Sequence, residues 1–456
     1  MVDPYPEATP PTPPRALVSF VWAATEGLRR PLLALVLVTA VIGVFEAWLF
    51  SLLAQVVDWL AEVSPGSLLQ TRGTHLLALS LVLIASIVVV GLASLIKHQT
   101  LVGNFPMRLR WNFHRLMLEQ GLSFHQDEFA GRIATKVMQS ALAVRDAVLI
   151  LFEMMIFVSI YFGTLVLVVG SFHLWMVLPF LGWLGIYAWA ICHFVPRLAA
   201  AGQAQADARS LMTGRITDAY ANIATVKLFS HTRGEAAHAR AAMQPFLQTV
   251  HRQMRLVTRF EVVNHAASMA LILGAGGGVL WLWDAGAVGA GAVAAAIAMA
   301  IRLNGISHWV MWETAALFEH IGTIQDGIGT LARPPVLLDA PNAVELEVSR
   351  SEIHFEQVSF RYGDGPTVIH ELDLHIRSGE RIGLVGRSGA GKSTLTGMLL
   401  RFHDIRSGRV LIDDQDIMRV TQDSLRAAIG MVTQDTSLLH RSVRENILYG
   451  RPEASE

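Results

Sequence analysis

Residues 386–394 read GRSGAGKST, and the residue types in that string suit a phosphate chain. Gly386, Gly389 and Gly391 let the backbone curl until successive N–H groups face one centre, with Arg387, Ser388 and Ala390 filling the loop between them. Lys392 is spaced to reach the β- and γ-phosphates of a nucleotide, and the Ser393 hydroxyl to coordinate Mg²⁺; Thr394 completes the string. Such a loop needs a strand before it and a helix after it. RIGLVG, 381–386, reads as the strand, and KSTLTGMLLRF, 392–402, carries apolar residues at helical spacing. The helix would turn the positive end of its dipole toward the anion.

These elements imply a domain that holds them. EIHFEQVSF and LDLHI are strand-like as well, and the Pro-containing polar stretch ahead of them, 331–350, reads as a linker. The pattern predicts an α/β nucleotide-binding domain over 351–456.

The preceding residues are suited to a different solvent. The chain is 52% hydrophobic and only 16% charged, below the roughly 25% charged of soluble domains. Apolar runs at 31–57, 75–96, 147–170, 172–195, 262–283 and 287–318 are each long enough to cross a hydrocarbon core of about 30 Å, and they lack the alternation of barrel strands. They predict six membrane helices within 15–330, with lipid as their solvent. Lys97, Arg108, Arg110, Arg115, Arg132, Lys136 and Arg145 lie between the second and third runs, and nine further Arg or Lys residues between the fourth and fifth; the other loops hold only Arg72. The positive-inside rule then puts both termini and the two long basic loops in the cytosol. LRWNFHRLMLEQ and ADARSLMTGRITDAYANIATVKLF keep helical spacing within those loops, so the membrane helices are expected to project beyond the bilayer.

Charge inside a bilayer is costly, so the ionisable residues within the runs stand out: Glu46, Glu153, His265 and Arg302. Arg302 is the deepest cation and is singled out with Glu46 as a substrate-pathway candidate, the alternative being a structural pair between them. Glu153 is expected near the cytosolic interface in a structural role. A net charge of −1 gives no reason to expect nucleic acid as a partner, and the single cysteine, Cys192, excludes an intrachain disulfide. Residues 1–14, PYPEATPPTPP among them, are too rich in proline to pack and are expected to be a disordered tail.

From about residue 17 onward the chain resembles the ATP-binding cassette exporters that fuse membrane and nucleotide domains in one polypeptide. The resemblance rests on the phosphate loop, on VSFRYGDG, on LRAAIGMVTQD and on SVRENILYG. It implies that Tyr362 stacks on adenine, and that Gln434 touches Mg²⁺ and senses the γ-phosphate. GLSFHQDEFAG and DAYANIATVKLFS look like the two loop regions whose short coupling helices dock on nucleotide domains. It further implies an all-α six-helix transmembrane domain followed by a partial α/β P-loop ATPase domain, with ATP and Mg²⁺ as ligands. The implied assembly is a pair of half-transporters, identical or different, that exports a hydrophobic or amphipathic compound across the inner membrane.

Members of that family continue through an LSGGQ-type signature, an apolar strand ending in Asp before a catalytic Glu, and a switch His. None of these occurs among the 456 residues, so no catalytic residue is assigned. The expectation is a C-terminally truncated half-transporter that binds ATP without a full hydrolytic set. The alternative is a non-catalytic or relic membrane subunit that depends on a complete partner.

Overall fold

The computed structural model describes residues 2–8, 10–128, 130–334, 337–363, 365–432, 438–451 and 453–454, with backbone alone at 127, 206 and 210. The helices along the chain are α1 (Leu17–Ala24), α2 (Arg29–Glu62), α3 (Leu68–Ser94), α4 (Asn104–Leu118), α5 (Leu122–Asp127), α6 (Ala130–Leu149), α7 (Met155–Phe172), α8 (Val177–Ala221), α9 (Ile223–Leu228), α10 (Thr232–Asp284) and α11 (Ala290–Leu331). A sheet and three short helices follow. Two compact units result: Met1–Leu118 with Ala130–Arg333, and Glu119–Phe129 with Pro334–Glu456.

In the first unit, six helical stretches among the described residues are long and apolar enough to cross a membrane. The backbone of such a helix is satisfied within itself, which is what lipid requires. At 1.5 Å per residue the 53 residues of α10 extend about 80 Å, well beyond a hydrocarbon core of about 30 Å. The two basic loops are therefore largely continuations of membrane helices.

Small residues and cross-helix polar bonds hold these helices together, as expected where apolar burial gains nothing against lipid. A Cβ on Gly291 would overlap the carbonyl of Ala54, so α2 and α11 approach at a point that only glycine permits. There the Asp58 carboxylate accepts the Gly291 N–H at 2.7 Å and caps the start of α11 from another helix. Short π-helical turns join α3 to α4 (Leu95–Val102) and α6 to α7 (Ile150–Met154). An ion pair ties those turns together, Lys97 Nζ to Glu153 Oε1 at 2.8 Å.

The tail departs from expectation. Its described residues carry no helix or strand, yet Arg108 donates to the Asp3 carbonyl, Trp111 to that of Pro6, and Arg115 to those of Pro6, Glu7 and Ala8, while Tyr5 packs edge-on against Trp111. A proline-rich segment cannot pair its own carbonyls, and the basic face of α4 supplies the donors.

The second unit is built on an antiparallel sheet in the order β2-β1-β3-β4, from β1 (Ile353–Arg361), β2 (Thr367–Ile376), β3 (Ser407–Ile412) and β4 (Gln415–Asp416). Helices α12 (Lys392–Leu399), α13 (Gln422–Ala427) and α14 (Val443–Ile447) complete it. Its core is Phe355, Val358 and Phe360 of β1, Met398 of α12, Val410 and Ile412 of β3, and Leu425 of α13. The end of the expected linker is fastened to this unit: Asp413 accepts backbone N–H bonds from Ser349, Arg350, Ser351 and Glu352 at 2.6 to 3.1 Å. Those donors, led by Arg350 and Glu352, hold the Asp413 carboxyl well below the usual carboxylate range.

RIGLVG, read as a strand, joins no ladder among the described residues. A strand is stable only when a neighbour pairs its N–H and C=O groups, and no described strand lies beside it. Its apolar side chains stay outside the core, Val385 being 98% exposed.

Candidate functional site

The phosphate loop owes its shape to two residues in the left-handed region. Gly389 (φ 83°) and Gly391 (φ 85°) turn the chain so that α12 begins at Lys392. A Cβ on Gly391 would also come within 3.2 Å of Val368 Cγ1 on β2, so shape and fit both call for glycine. Within the loop, the Ala390 N–H bonds the Arg387 carbonyl at 3.2 Å, making a tight turn that includes Ser388. Lys392 Nζ folds back onto the carbonyls of Gly386 and Arg387, each at 2.8 Å, and so holds its ammonium at the loop.

Ser393 is exposed beside Lys392, whereas Thr394 turns inward and is buried. The Thr394 hydroxyl meets the Tyr362 hydroxyl at 3.0 Å, which ties the residue just past β1 to the first turn of α12. A curled backbone, an ammonium, an exposed hydroxyl and a helix N-terminus are groups that can hold phosphate oxygens, and the loop brings them together. Tyr362 stays 47% exposed, with the Phe360 ring on one side of it and the His403 ring on another. Burial holds the His403 imidazole below its ordinary value. Gln434 lies outside the described residues.

Sequence spacing gave no hint of His403, which falls in RFHD with no motif to mark it. It also missed the Thr394 contact, because a hydroxyl pair 32 residues apart has no periodic signature.

Helix α5, from the first of the two loop regions, belongs to the second unit. Phe124 is buried there, and a Cβ on Gly121 would touch Leu337 Cδ1 at 3.2 Å. The second such region ends α8 and forms α9, with Tyr220 of α8, Leu228 of α9 and Phe229 just past it exposed.

In the first unit, Arg302 of α11 and Glu46 of α2 form an ion pair at 2.8 Å. SHWVMWE divides between surroundings: Met311 is buried in the α8–α10–α11 cluster, and Trp309 and Trp312 are exposed.

Six helices long and apolar enough to cross a membrane thus stand on one chain with a glycine-built loop of the phosphate-binding type. The ABC transporter transmembrane region family matches residues 32–302, and the ABC transporter family matches 369–456. An uncharacterized ABC transporter ATP-binding protein of Haemophilus influenzae is 50% identical over 455 residues, which is 100% of this chain and 74% of that protein. An ATM1-type heavy metal exporter of Novosphingobium aromaticivorans is 48% identical over 117 residues, 26% of this chain and 19% of its own length. A solved bacterial Atm1-family ABC exporter with ATP bound shares the fold at a TM-score of 0.78 and 22% identity, over 94% of this chain and 76% of that one. The chain belongs to the ABC transporter family and joins the family's transmembrane region to its ATP-binding region on one polypeptide.

Proposed function

We propose that this half-transporter pairs with a second half-transporter, most simply its own copy, and couples ATP to the export of a hydrophobic or amphipathic compound across the inner membrane. What carries the reading is the union on one chain of six membrane-crossing helices and a glycine-built phosphate loop. Both termini and the projecting helix ends face the cytosol in this reading, in line with the basic residues gathered there.

The loop N–H groups and Lys392 would hold the phosphates, and Tyr362 would stack on the adenine. Ser393 and Gln434 would hold Mg²⁺, whose charge offsets that of the phosphates. Glu46 and Arg302 would line or gate the pathway, and the exposed apolar face of α9 would dock on the nucleotide unit of the second copy.

The test is ATP-dependent uptake of a panel of amphipathic dyes and lipids into inside-out vesicles, comparing the chain with its Lys392→Ala variant in the context of the complete gene product. Accumulation that the variant abolishes supports export. Equal accumulation with both, for every compound, overturns it.

A further inference from the structure

We propose that His403 is a positioning residue for base stacking: together with Phe360 it fixes the ring plane of Tyr362 and so strengthens nucleotide binding at this site. The inference rests on the reading of Tyr362 as the base-stacking residue.

The geometry is specific. The Tyr362 ring stands perpendicular to both neighbours, 86° to Phe360 at 4.8 Å and 86° to His403 at 5.1 Å between centroids. Phe360 and His403 also touch, at 5.6 Å, closing a three-ring cluster. Perpendicular ring pairs are favoured by the aromatic quadrupole, so two of them resist rotation of the ring between them. The Tyr362 hydroxyl is held by Thr394, which removes the remaining freedom along the ring axis. Tyr362 nevertheless stays half exposed, open to a stacking partner.

His403 is itself held in place. It sits in the loop after α12, and Arg401 in that loop is only 2% exposed. Arg401 donates to the Asp404 carboxylate at 3.2 Å and to the Leu338 carbonyl at 2.9 Å. Arg426 of α13 donates to the carbonyls of Leu400 and Arg401 at 3.2 and 3.1 Å. A buried guanidinium with several fixed acceptors leaves the loop little room to move. The support behind Tyr362 thus extends from the phosphate-loop helix to α13, and His403 is where it meets the ring.

A stacking ring already held in one plane loses less freedom when a base packs on it, so a fixed ring binds a nucleotide more tightly than a loose one. The test is binding of ATP to the full chain in lipid nanodiscs, by displacement of a fluorescent ATP analogue. The proteins are wild type, His403→Ala, His403→Phe, His403→Leu and Tyr362→Ala, with thermal melting as the folding control. We expect His403→Ala to weaken ATP binding about threefold to tenfold. His403→Phe should restore it, and Tyr362→Ala should lose at least as much. If His403→Ala melts early, His403→Leu, which keeps volume without a flat ring, gives the same reading. Wild-type binding by a folded His403→Ala or His403→Leu, with Tyr362→Ala impaired, overturns the role of His403 and leaves the Tyr362 reading intact. Unchanged binding in the Tyr362 and His403 variants alike overturns both readings together.

Discussion

In the membrane unit, charged side chains within apolar helices find partners on other helices: Arg302 with Glu46, Lys97 with Glu153, and Asp58 with the backbone of Gly291. In the nucleotide unit the Lys392 ammonium rests on loop carbonyls, and Ser393 faces solvent. The difference follows from the solvent. A charge without a partner in lipid costs free energy at all times, so it is paired within the protein. In water the same cost is small, so donors can be kept for a ligand with a greater negative charge than any carbonyl carries.

The largest test of this contrast is on the ligand side. Lys392→Ala removes the one ammonium at the loop and is expected to weaken ATP binding at least about a hundredfold, since charge-assisted bonds to phosphate are among the strongest available. Melting without nucleotide should hardly change, and calorimetric titration checks the affinity. If stability falls and affinity does not, Lys392 is structural and the contrast breaks.

The membrane side is tested next by Gly291→Leu. The new side chain meets the Ala54 carbonyl and the Asp58 carboxylate, and overpacking of this kind costs about 2–3 kcal/mol. Denaturation in detergent should show it, with ATP affinity kept.

A smaller effect is expected from Glu46→Gln, about 1–2 kcal/mol, because both side chains of the pair are partly exposed. Arg302→Met in the Glu46→Gln background should recover much of that loss. If dye export is restored along with stability, the pair is purely structural; if stability returns while export stays impaired, the pair serves the pathway.

The smallest effect sharpens the nucleotide side. Asp413 is held below its unfolded value, so its contribution is fully present above about pH 4, the ordinary carboxylate range, and is lost as pH falls toward the depressed folded value. Asp413→Asn should lower stability at neutral pH and flatten the acid limb below pH 4, as an acid titration of the circular dichroism signal would record.

Much of this was legible in the sequence for identifiable reasons. Span count follows from run length, because a bilayer of fixed thickness demands about 20 apolar residues. The phosphate loop follows from Gly389, Gly391 and Lys392, because few other residues tolerate that backbone and that ligand. The Glu46–Arg302 pair was foreseen only as an alternative, since periodicity places residues on a helix but does not say which helices touch. Anchorage of the tail on Arg108, Trp111 and Arg115 was missed, because a composition rich in proline says nothing about donors a hundred residues away. RIGLVG was read as a strand from its apolar residues, but a ladder needs a neighbour that local composition cannot supply.

By itself, then, the sequence determined what local chemistry and solvent control: which stretches are long and apolar enough to cross a membrane, where the chain turns left-handed, and where the residue types suited to an anion gather. Only the tertiary structure decided which distant groups meet. It set Thr394 and His403 on Tyr362, Asp413 under the backbone of 349–352, and α5 in one unit with the residues from 334 onward. Those contacts join residues far apart in the chain, and their free energy depends on a geometry that exists only once the units have packed.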